Sequence, residues 1–251
     1  GIKGVTDIVL INDSSFNAFV NGRSIYINTG TIMASGSPNE VIGVLAHEIG
    51  HLAGGHQERL RQKLESAGRM ATIAGLVGMG AAVAGSASGN GDAGKAGAGI
   101  AAGAQEMARR SILAYQRTEE ITADRSAVVY LDKTGQSARG MLITFQRFQT
   151  SLALSGTKVD PYKISHPLPR ERIANLEDLA QKSPNFGKAD SPALQARHDL
   201  ARAKVAAYSG NINTVRRLFR DRPDSIGLKY GEAISAYLQG SSKDALNKFD
   251  A

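Results

Sequence analysis

The chain has 251 residues, 42% of them apolar, so it can bury a substantial core in one large domain or one domain with a small appendage. Its formal net charge is +7, but the basic residues are scattered and there is no tryptophan to stack on bases, which argues against a nucleic-acid-binding protein. Cysteine is absent, so any metal site must use histidines and carboxylates.

The N-terminal part of the sequence predicts a small β-sheet. Short apolar runs with β-branched and aromatic residues occur at 8–11, at 18–20 and at 24–28, and the turn sequence Asn21-Gly22 separates the last two. These two runs are expected to form a hairpin. The second strand of the hairpin consists of Ser24, Ile25, Tyr26, Ile27 and Asn28.

A helix is expected to follow this sheet. Ser37 fits the N-cap position, Pro38 the first helical position, and Glu40 the third position of a capping box. The helix should end after about Leu52, because Gly54-Gly55 follows.

A segment rich in Gly, Ala and Ser extends from Gly68 to Gly103, and no charged residue lies between Arg69 and Asp92. Its apolar run, 70–84, is shorter than the roughly 20 residues that a membrane-spanning helix needs. We expect this segment to be the most mobile part of the chain. It is either a hairpin that contacts a membrane surface or another partner, or a flexible surface loop.

The rest of the sequence has apolar residues at the three- and four-residue spacing of helices. The helices are expected at 105–133, 137–154, 170–181, 194–209, 212–220 and 226–239. The last three suggest short helical hairpins of a tetratricopeptide-like kind. The domain organisation predicted is 1–182 as the main domain with the mobile segment 68–103, a linker at 183–192, and a truncated tetratricopeptide-like segment at 193–251.

The sequence His47-Glu48-Ile49-Gly50-His51 contains the H-E-x-x-H pattern on the first predicted helix. Residues four apart share a helix face, so both imidazoles can bind one tetrahedral zinc ion, and Glu48 lies beside them to accept a proton from water. The alternative is a chance pair of histidines on a solvated helix. The apolar neighbours Val44 and Leu45 indicate a buried helix instead.

Two histidines leave such a zinc ion short of a protein ligand. The sequence Glu119-Glu120-Ile121-Thr122-Ala123-Asp124 offers one, because Glu120 can bind the metal while Asp124, one turn further, accepts a hydrogen bond from a ligand histidine. On spacing alone the same residues could form a solvated acidic helix face.

The pair of motifs formed by His47–His51 and Glu120–Asp124 resembles the glutamate-zincin peptidase family that includes the CaaX prenyl protease and HtpX. Asn17-Ala18-Phe19, the His166-Pro-Leu-Pro sequence and Arg172-Ile173 are similar to its soluble periplasmic, BepA (YfgC)-like branch. The resemblance covers about 7–179. It implies that Glu120, not Glu119, is the third zinc ligand, and that His166 lies at the active site.

The expected function is that of a zinc metalloendopeptidase with one zinc ion per chain, in which Glu48 takes a proton from the attacking water and delivers it to the leaving amine. His166 or Arg172 could stabilise the oxyanion, although Arg172 could equally be a salt-bridge partner. His166 could instead block the site as a fourth ligand, restrained by Pro167. A surface histidine is the alternative.

The fold class expected is α+β, mainly α-helical: a zincin-like small sheet with an edge strand over a pair of zinc-binding helices, followed by short C-terminal helical hairpins. If Ser24–Asn28 is that edge strand, it can bind extended substrates by backbone pairing, which favours unfolded or misassembled proteins. The resemblance implies a periplasmic location, although no signal peptide is visible in this chain, and partners in the membrane surface or the outer-membrane assembly machinery.

Two other functions remain open at this point. One is a zinc-containing chaperone or scaffold for outer-membrane protein assembly that cleaves little, and the tetratricopeptide-like tail favours it. The other is a different zinc hydrolase with a small-molecule pocket.

Overall fold

The computed structural model describes residues 7–87, 91–154, 166 and 170–250. In this part of the chain the strands are β1 (Asp7–Ile11), β2 (Ala18–Asn21) and β3 (Ser24–Asn28). The helices are α1 (Thr29–Ala34), α2 (Pro38–Gly54), α3 (His56–Ala87), α4 (Gly91–Lys133), α5 (Arg139–Leu154), α6 (Arg170–Gln181), α7 (Pro192–Ser209), α8 (Ile212–Leu218), α9 (Ile226–Leu238) and α10 (Ser242–Phe249). The mainly helical α+β class is confirmed.

Strand β3 lies in the centre of the sheet. It pairs antiparallel with β2, with Ala18 opposite Ile27, and parallel with β1 on its other side. The hairpin is confirmed, and Gly22 adopts φ +60 in its turn, a conformation that glycine reaches without steric cost. The expectation that Ser24–Asn28 is an edge strand is wrong, because β1 covers the side of β3 that the hairpin leaves open. The outer strands of the described sheet are β1 and β2.

Helix α2 begins at the predicted Pro38 and ends at Gly54, two residues after the expected Leu52. The Glu40 carboxylate accepts hydrogen bonds from the backbone N–H groups of Gly36 (2.9 Å) and Ser37 (3.1 Å), which is the glutamate half of a capping box. Gly55 follows the last residue of α2 with φ +64, so the chain turns there. The ends of α2 are therefore fixed by local interactions.

The segment rich in Gly and Ala is helical. It forms the second half of α3 and the first part of α4, so the flexible-loop alternative is wrong for its described residues. Its predicted mobility stays a prediction. Among the described residues, no helix combines the length and the apolar character that crossing a bilayer requires.

The chain divides into two compact units, one from Ala53 to Thr122 and the other from the remaining residues on both sides of it. In the latter unit, α2, the end of α4, α5 and α6 share one apolar core. Its fully buried members include Ala127, Leu131, Met141, Phe145 and Leu176. A smaller cluster of Ala18, Ile27 and Val44 packs the sheet against α2. The helix that carries the H-E-x-x-H sequence is therefore covered by the sheet and by other helices.

The C-terminal helices of this unit contact α1. His198 on α7 donates a hydrogen bond from Nε2 to the carbonyl oxygen of Ser35 (3.0 Å), and Arg202 donates one from Nε to that of Met33 (2.8 Å). Carbonyl groups at the end of a helix lack partners within it, so α7 supplies donors that α1 itself cannot. Two buried polar side chains thus attach α7 to the region beside the sheet.

The expected linker at 183–192 also makes hydrogen bonds with the first part of the chain. Asp190 Oδ2 accepts one from the backbone N–H of Asn39 (3.1 Å), and Phe186 O accepts one from Ser137 Oγ (2.7 Å). The division into a peptidase domain, a linker and a tetratricopeptide-like segment stays a prediction.

Candidate metal centre

Helix α2 brings two imidazoles together. His47 and His51 lie one turn apart, and their Nε2 atoms are 3.0 Å from each other. His47 and the neighbouring Glu48 are buried, with exposed fractions of 0% and 1%. Burying these polar side chains is costly unless they interact with other polar groups or a metal ion. The H-E-x-x-H residues therefore belong to an internal site and not to a solvated helix face.

Two glycines let other helices approach α2 very closely. A Cβ atom on Gly50 would lie 2.7 Å from the carbonyl oxygen of Ala123 on α4, and one on Gly43 would lie 2.7 Å from the Met141 side chain on α5. No residue with a side chain fits at these distances. The contact of Gly50 with Ala123 places the next residue of α4, Asp124, beside the first histidine.

Asp124 joins His47 to Arg172. Its Oδ1 lies 2.9 Å from His47 Nδ1, and Arg172 donates from Nε to Oδ2 (2.6 Å) and from Nη2 to Oδ1 (2.9 Å). Burial acts to raise the pKa of Asp124, but the charge of Arg172 and the hydrogen bonds from Arg172 and His47 outweigh it and lower that pKa. An ionised Asp124 accepts the Nδ1 proton of His47, so the lone pair of Nε2 faces His51.

Four side chains could hold a metal ion together: His47, His51, Glu120 and His166 each offer a ligand atom, and these atoms all lie within 4.8 Å of one another. Zinc–nitrogen bonds of about 2.0–2.1 Å in a tetrahedron separate ligand nitrogens by about 3.3–3.4 Å. The separations of 3.0 Å between His47 and His51 and 3.4 Å between His47 and His166 are near this spacing. Both the donor types and the distances fit zinc.

His166 lies beside the two histidines of α2. Its Nδ1 lies 3.4 Å from His47 Nε2, and its Nε2 lies 3.3 Å from the carbonyl oxygen of Ala18 and 3.5 Å from Glu48 Oε1. It is 5% exposed, so the surface-histidine alternative is wrong. Pro167, which was expected to restrain it, lies outside the described residues.

The two adjacent glutamates of α4 have different surroundings. Glu120 belongs to the cluster of potential ligands, whereas the carboxylate of Glu119 lies 2.6 Å from Nε2 of His56 and 2.9 Å from Nη2 of Arg59. The spacing to Asp124 named Glu120 as a possible ligand, and the resemblance selected it over Glu119. Sequence reasoning missed His56. Its position directly after Gly54-Gly55 could have indicated it, because glycines leave space for a neighbouring side chain.

The five residues of the predicted substrate strand, Ser24–Asn28, do not belong to the cluster of potential ligands, and other strands pair with both edges of β3. The carbonyl oxygen of Ala18 on β2 is the sheet atom next to His166. Sequence reasoning missed β2 as the strand beside the site. The sequence Asn17-Ala18-Phe19 could have indicated β2, because it is one of the features that carry the family resemblance.

Comparison with known proteins gives a family for this arrangement. Residues 1–180 match peptidase family M48. The chain is 32% identical over 216 residues to a putative beta-barrel assembly-enhancing protease of Vibrio cholerae, covering 83% of this chain and 41% of that protein. It is 25% identical over 247 residues to the beta-barrel assembly-enhancing protease of Yersinia pestis, covering 95% of this chain and 48% of that one.

The same protease of Escherichia coli K12 is 25% identical over 182 residues, which cover 72% of this chain and 36% of the relative. The chain thus spans less than half the length of the curated relatives it matches. The match over residues 1–180 includes the four potential metal ligands found among the described residues, which confirms zinc as the cofactor. The relatives named beta-barrel assembly-enhancing protease confirm the BepA-like branch that the sequence motifs resemble. The chain belongs to peptidase family M48, a family of zinc metalloproteases.

Proposed function

We propose that this chain is a zinc-dependent endopeptidase in which His47, His51 and Glu120 hold one zinc ion and Glu48 is the general base. The observation that carries this proposal is the approach of the potential ligands to within 4.8 Å of one another, beside a glutamate that is almost fully buried. When bound, zinc supplies Lewis acidity, which polarises a peptide carbonyl group and makes a water molecule a stronger acid.

The residues around the proposed metal site have separate roles in the reaction. Glu48 accepts the proton of the attacking water and passes it to the nitrogen of the leaving amine. Asp124 keeps the Nδ1 proton on His47, and Arg172 holds Asp124 in place through two hydrogen bonds. These contacts favour a positioning role for Arg172 over the oxyanion contact expected from sequence.

His166 has a double role in this proposal, as a fourth potential ligand and as a gate. Its Nδ1 side faces the zinc ligands, and its Nε2 side faces the carbonyl oxygen of Ala18. A fourth protein ligand closes the position that a catalytic zinc keeps for water and substrate. His166 must therefore leave this position before turnover begins.

The substrate is proposed to bind along β2, in place of Ser24–Asn28. Asn28 donates its backbone N–H to the carbonyl oxygen of Asn17, so the alternation of an antiparallel pair directs the carbonyl oxygen of Ala18 away from β3. An extended peptide paired with this side of β2 would place its own backbone beside Glu48. Recognition through backbone atoms favours unfolded or misassembled proteins over one defined sequence.

A substrate peptide with single N-methyl groups tests this binding mode. N-methylation removes one backbone donor at a time, and strand pairing predicts that every second position raises KM while the positions between do not. Uniform sensitivity along the peptide would contradict pairing with β2.

The biological setting is proposed to be protein quality control in the periplasm, in connection with the outer-membrane assembly machinery. The support is the name of the relatives, beta-barrel assembly-enhancing protease, together with the resemblance of the motifs. A zinc-containing chaperone or scaffold for the same assembly process is the second candidate. The buried Glu48 favours the peptidase, because a structural zinc site needs no general base.

Replacing Glu48 separates these two candidates. Glu48→Gln keeps the shape of the side chain and should keep the zinc content, while it removes the base and abolishes cleavage of unfolded casein. Glu58→Gln on the exposed surface of α3 is the matched control and should cleave like the wild type. Equal cleavage of casein by the wild type and by Glu48→Gln would contradict the peptidase mechanism. Binding of casein without cleavage by either of these two proteins would support the scaffold.

The hairpin of α3 and α4 is proposed to contact a lipid surface. Several of its small residues are shielded from solvent: Ala71, Ala74 and Gly78 on α3 and Ala101, Ala104 and Ala108 on α4 are buried or half-buried. Its large apolar residues face outward: Met70, Ile73, Leu76, Val77, Met79, Val83 and Met107 are all more than half exposed. Small residues between helices and large apolar residues outside are typical of helix pairs surrounded by lipid.

Flotation with vesicles of phosphatidylethanolamine and phosphatidylglycerol tests this contact. The triple variant Ile73→Ser, Leu76→Ser, Val77→Ser should lose flotation. A control with the same change at Ile226, Tyr237 and Leu246, which are equally exposed on α9 and α10, should keep it. Flotation lost in both variants would indicate a nonspecific effect of hydrophobicity, and flotation lost in neither would exclude the hairpin as the contact.

A further inference from the structure

We propose that His56, Arg59 and Glu119 act as a positioning clamp, which holds α4 in the rotation that directs the neighbouring Glu120 to the metal. The proposal rests on Glu120 as a zinc ligand, which is part of the proposed function. It assigns a role to Glu119, the first glutamate of the Glu119-Glu120 pair, and to His56, which does not belong to the cluster of potential ligands.

The turn after α2 is shaped around His56. Helix α2 ends at Gly54, Gly55 follows with φ +64, and His56 is the first residue of α3. The imidazole folds back onto Gly54, where a Cβ atom would lie only 2.0 Å from its Nε2 atom. The histidine is 4% exposed. The glycine pair therefore does more than end a helix, because it makes the space in which this ring is buried.

Glu119 is held from two sides by residues of α3. Its Oε2 atom lies 2.6 Å from Nε2 of His56 and 2.9 Å from Nη2 of Arg59. Arg59 also donates from Nε to the hydroxyl oxygen of Tyr115 (3.2 Å), one turn before Glu119 on α4. Glu119 is 13% exposed, so this contact is mostly removed from water and is better defined than a surface ion pair.

Glu119 directly precedes Glu120, so the clamp can influence the direction of the metal ligand. Adjacent residues of an α-helix are rotated by about 100° from each other, so fixing the direction of Glu119 fixes that of Glu120. Groups that orient metal ligands from outside typically change metal affinity by roughly 10- to 100-fold when they are removed. A purely structural ion pair would instead change the stability of the hairpin and leave the metal affinity unaltered.

Zinc affinity and the spectrum of the cobalt-substituted protein distinguish these roles. Glu119→Ala and His56→Ala should each raise the zinc Kd in a chelator competition by about 10- to 100-fold, and the double variant by no more than the larger single effect. The visible absorption bands of bound Co²⁺ should shift in the same variants, because the ligand geometry changes. Arg61→Ala with Glu65→Ala, which removes an exposed ion pair of the same helix, should change neither measurement.

Gly54→Ala is an independent variant with an unusual expectation. Alanine favours a helix over glycine by about 1 kcal/mol, yet here the methyl group takes the place of the His56 ring. Gly54→Ala should therefore weaken zinc binding as His56→Ala does, even if one of the clamp variants does not fold. Unchanged zinc affinity and cobalt spectra in Gly54→Ala and in the folded clamp variants, with only the melting temperature lowered, would overturn the proposal.

Glu120→Ala separates failure of the clamp from failure of the ligand assignment. Loss of zinc affinity in Glu120→Ala, without loss in Glu119→Ala, would leave the proposed site intact and remove the clamp. Full zinc affinity in Glu120→Ala would remove Glu120 as a ligand and the clamp with it. None of these measurements depends on peptidase activity.

Discussion

The α-carbon of Gly50 faces the backbone of Ala123 so closely that a Cβ atom would lie 2.7 Å from the carbonyl oxygen of Ala123. This contact sets the distance between the helix that carries both histidines and the helix that carries Asp124. We expect Gly50→Ala to push α4 away from α2 and to destabilise the protein by about 1–3 kcal/mol, as overpacking does. Zinc affinity should fall with it, because Asp124 moves away from His47.

Gly68→Ala is the matched control for this substitution. Gly68 is also a helical glycine, but no atom lies within 4 Å of the position its Cβ atom would take. It should raise stability by about 0.5–1 kcal/mol through helix propensity. Thermal unfolding and chelator competition measure both variants. Equal effects of the two substitutions would contradict a special role for the contact at Gly50.

Arg172 neutralises Asp124 inside the protein, where the guanidinium also lies 4.8 Å from the centre of the Phe145 ring. Arg172→Met should destabilise the protein by about 3–5 kcal/mol, because it leaves a buried carboxylate without its partner. Arg172→Lys keeps the charge but not the two parallel hydrogen bonds, so zinc affinity should still fall by roughly tenfold or more. Arg170→Lys, on the exposed start of the same helix, should behave like the wild type.

His166 touches both the metal ligands and the carbonyl oxygen of Ala18. We expect His166→Ala to raise basal cleavage of casein, because the fourth ligand position and the edge of β2 both become available. The zinc content should remain near one ion per chain. Lower cleavage with normal zinc content would show that the ring serves the transition state more than it blocks the site. Unchanged cleavage would remove it from the reaction.

The contact of His198 with Ser35 predicts a pH dependence of stability. Burial lowers the pKa of His198 below its ordinary value of 6.5, although the hydrogen bond to the Ser35 carbonyl opposes this. As the pH falls through 6.5, His198 becomes protonated in the unfolded chain but stays neutral in the folded chain. The free energy of unfolding therefore falls with pH until the pH reaches the lowered pKa of the folded state. Stability should therefore decrease below about pH 7.

His198→Gln retains a donor for Ser35 without this titration. The difference in urea midpoint between pH 7.5 and pH 5.5 should be smaller in the variant than in the wild type. Parallel curves for the two proteins would mean that His198 contributes nothing to the pH dependence.

Elements with a strong local signal were predictable from the sequence. Helix α6 has the predicted bounds, and α2 begins at the predicted proline, because a capping box, a proline and a glycine pair act over only a few residues. His47, Glu48 and His51 were identified for the same reason, since one turn of helix sets their spacing. The contact of Glu119 with a histidine 63 positions earlier in the chain was not predictable, because it is not local.

The order of the strands was not predictable from the residues alone. The alternation in Ser24–Asn28 indicates a strand with a buried face, but it is the same for an edge and a central position. Only the parallel pairing with β1 makes β3 central. Similarly, the Gly and Ala content of the segment after Gly68 left a flexible loop open beside a hairpin, because glycine weakens an isolated helix.

The potential metal ligands come from distant parts of the chain, and His47 and His166 alone are 119 residues apart. In an unfolded chain these side chains are rarely close, so the complete ligand set exists only after folding. Zinc therefore binds the folded chain and not the unfolded one, so a higher concentration of free zinc raises the free energy of unfolding. The lifetime of the folded protein then depends on the zinc supply of its compartment, which makes metal availability a control on abundance as well as on catalysis.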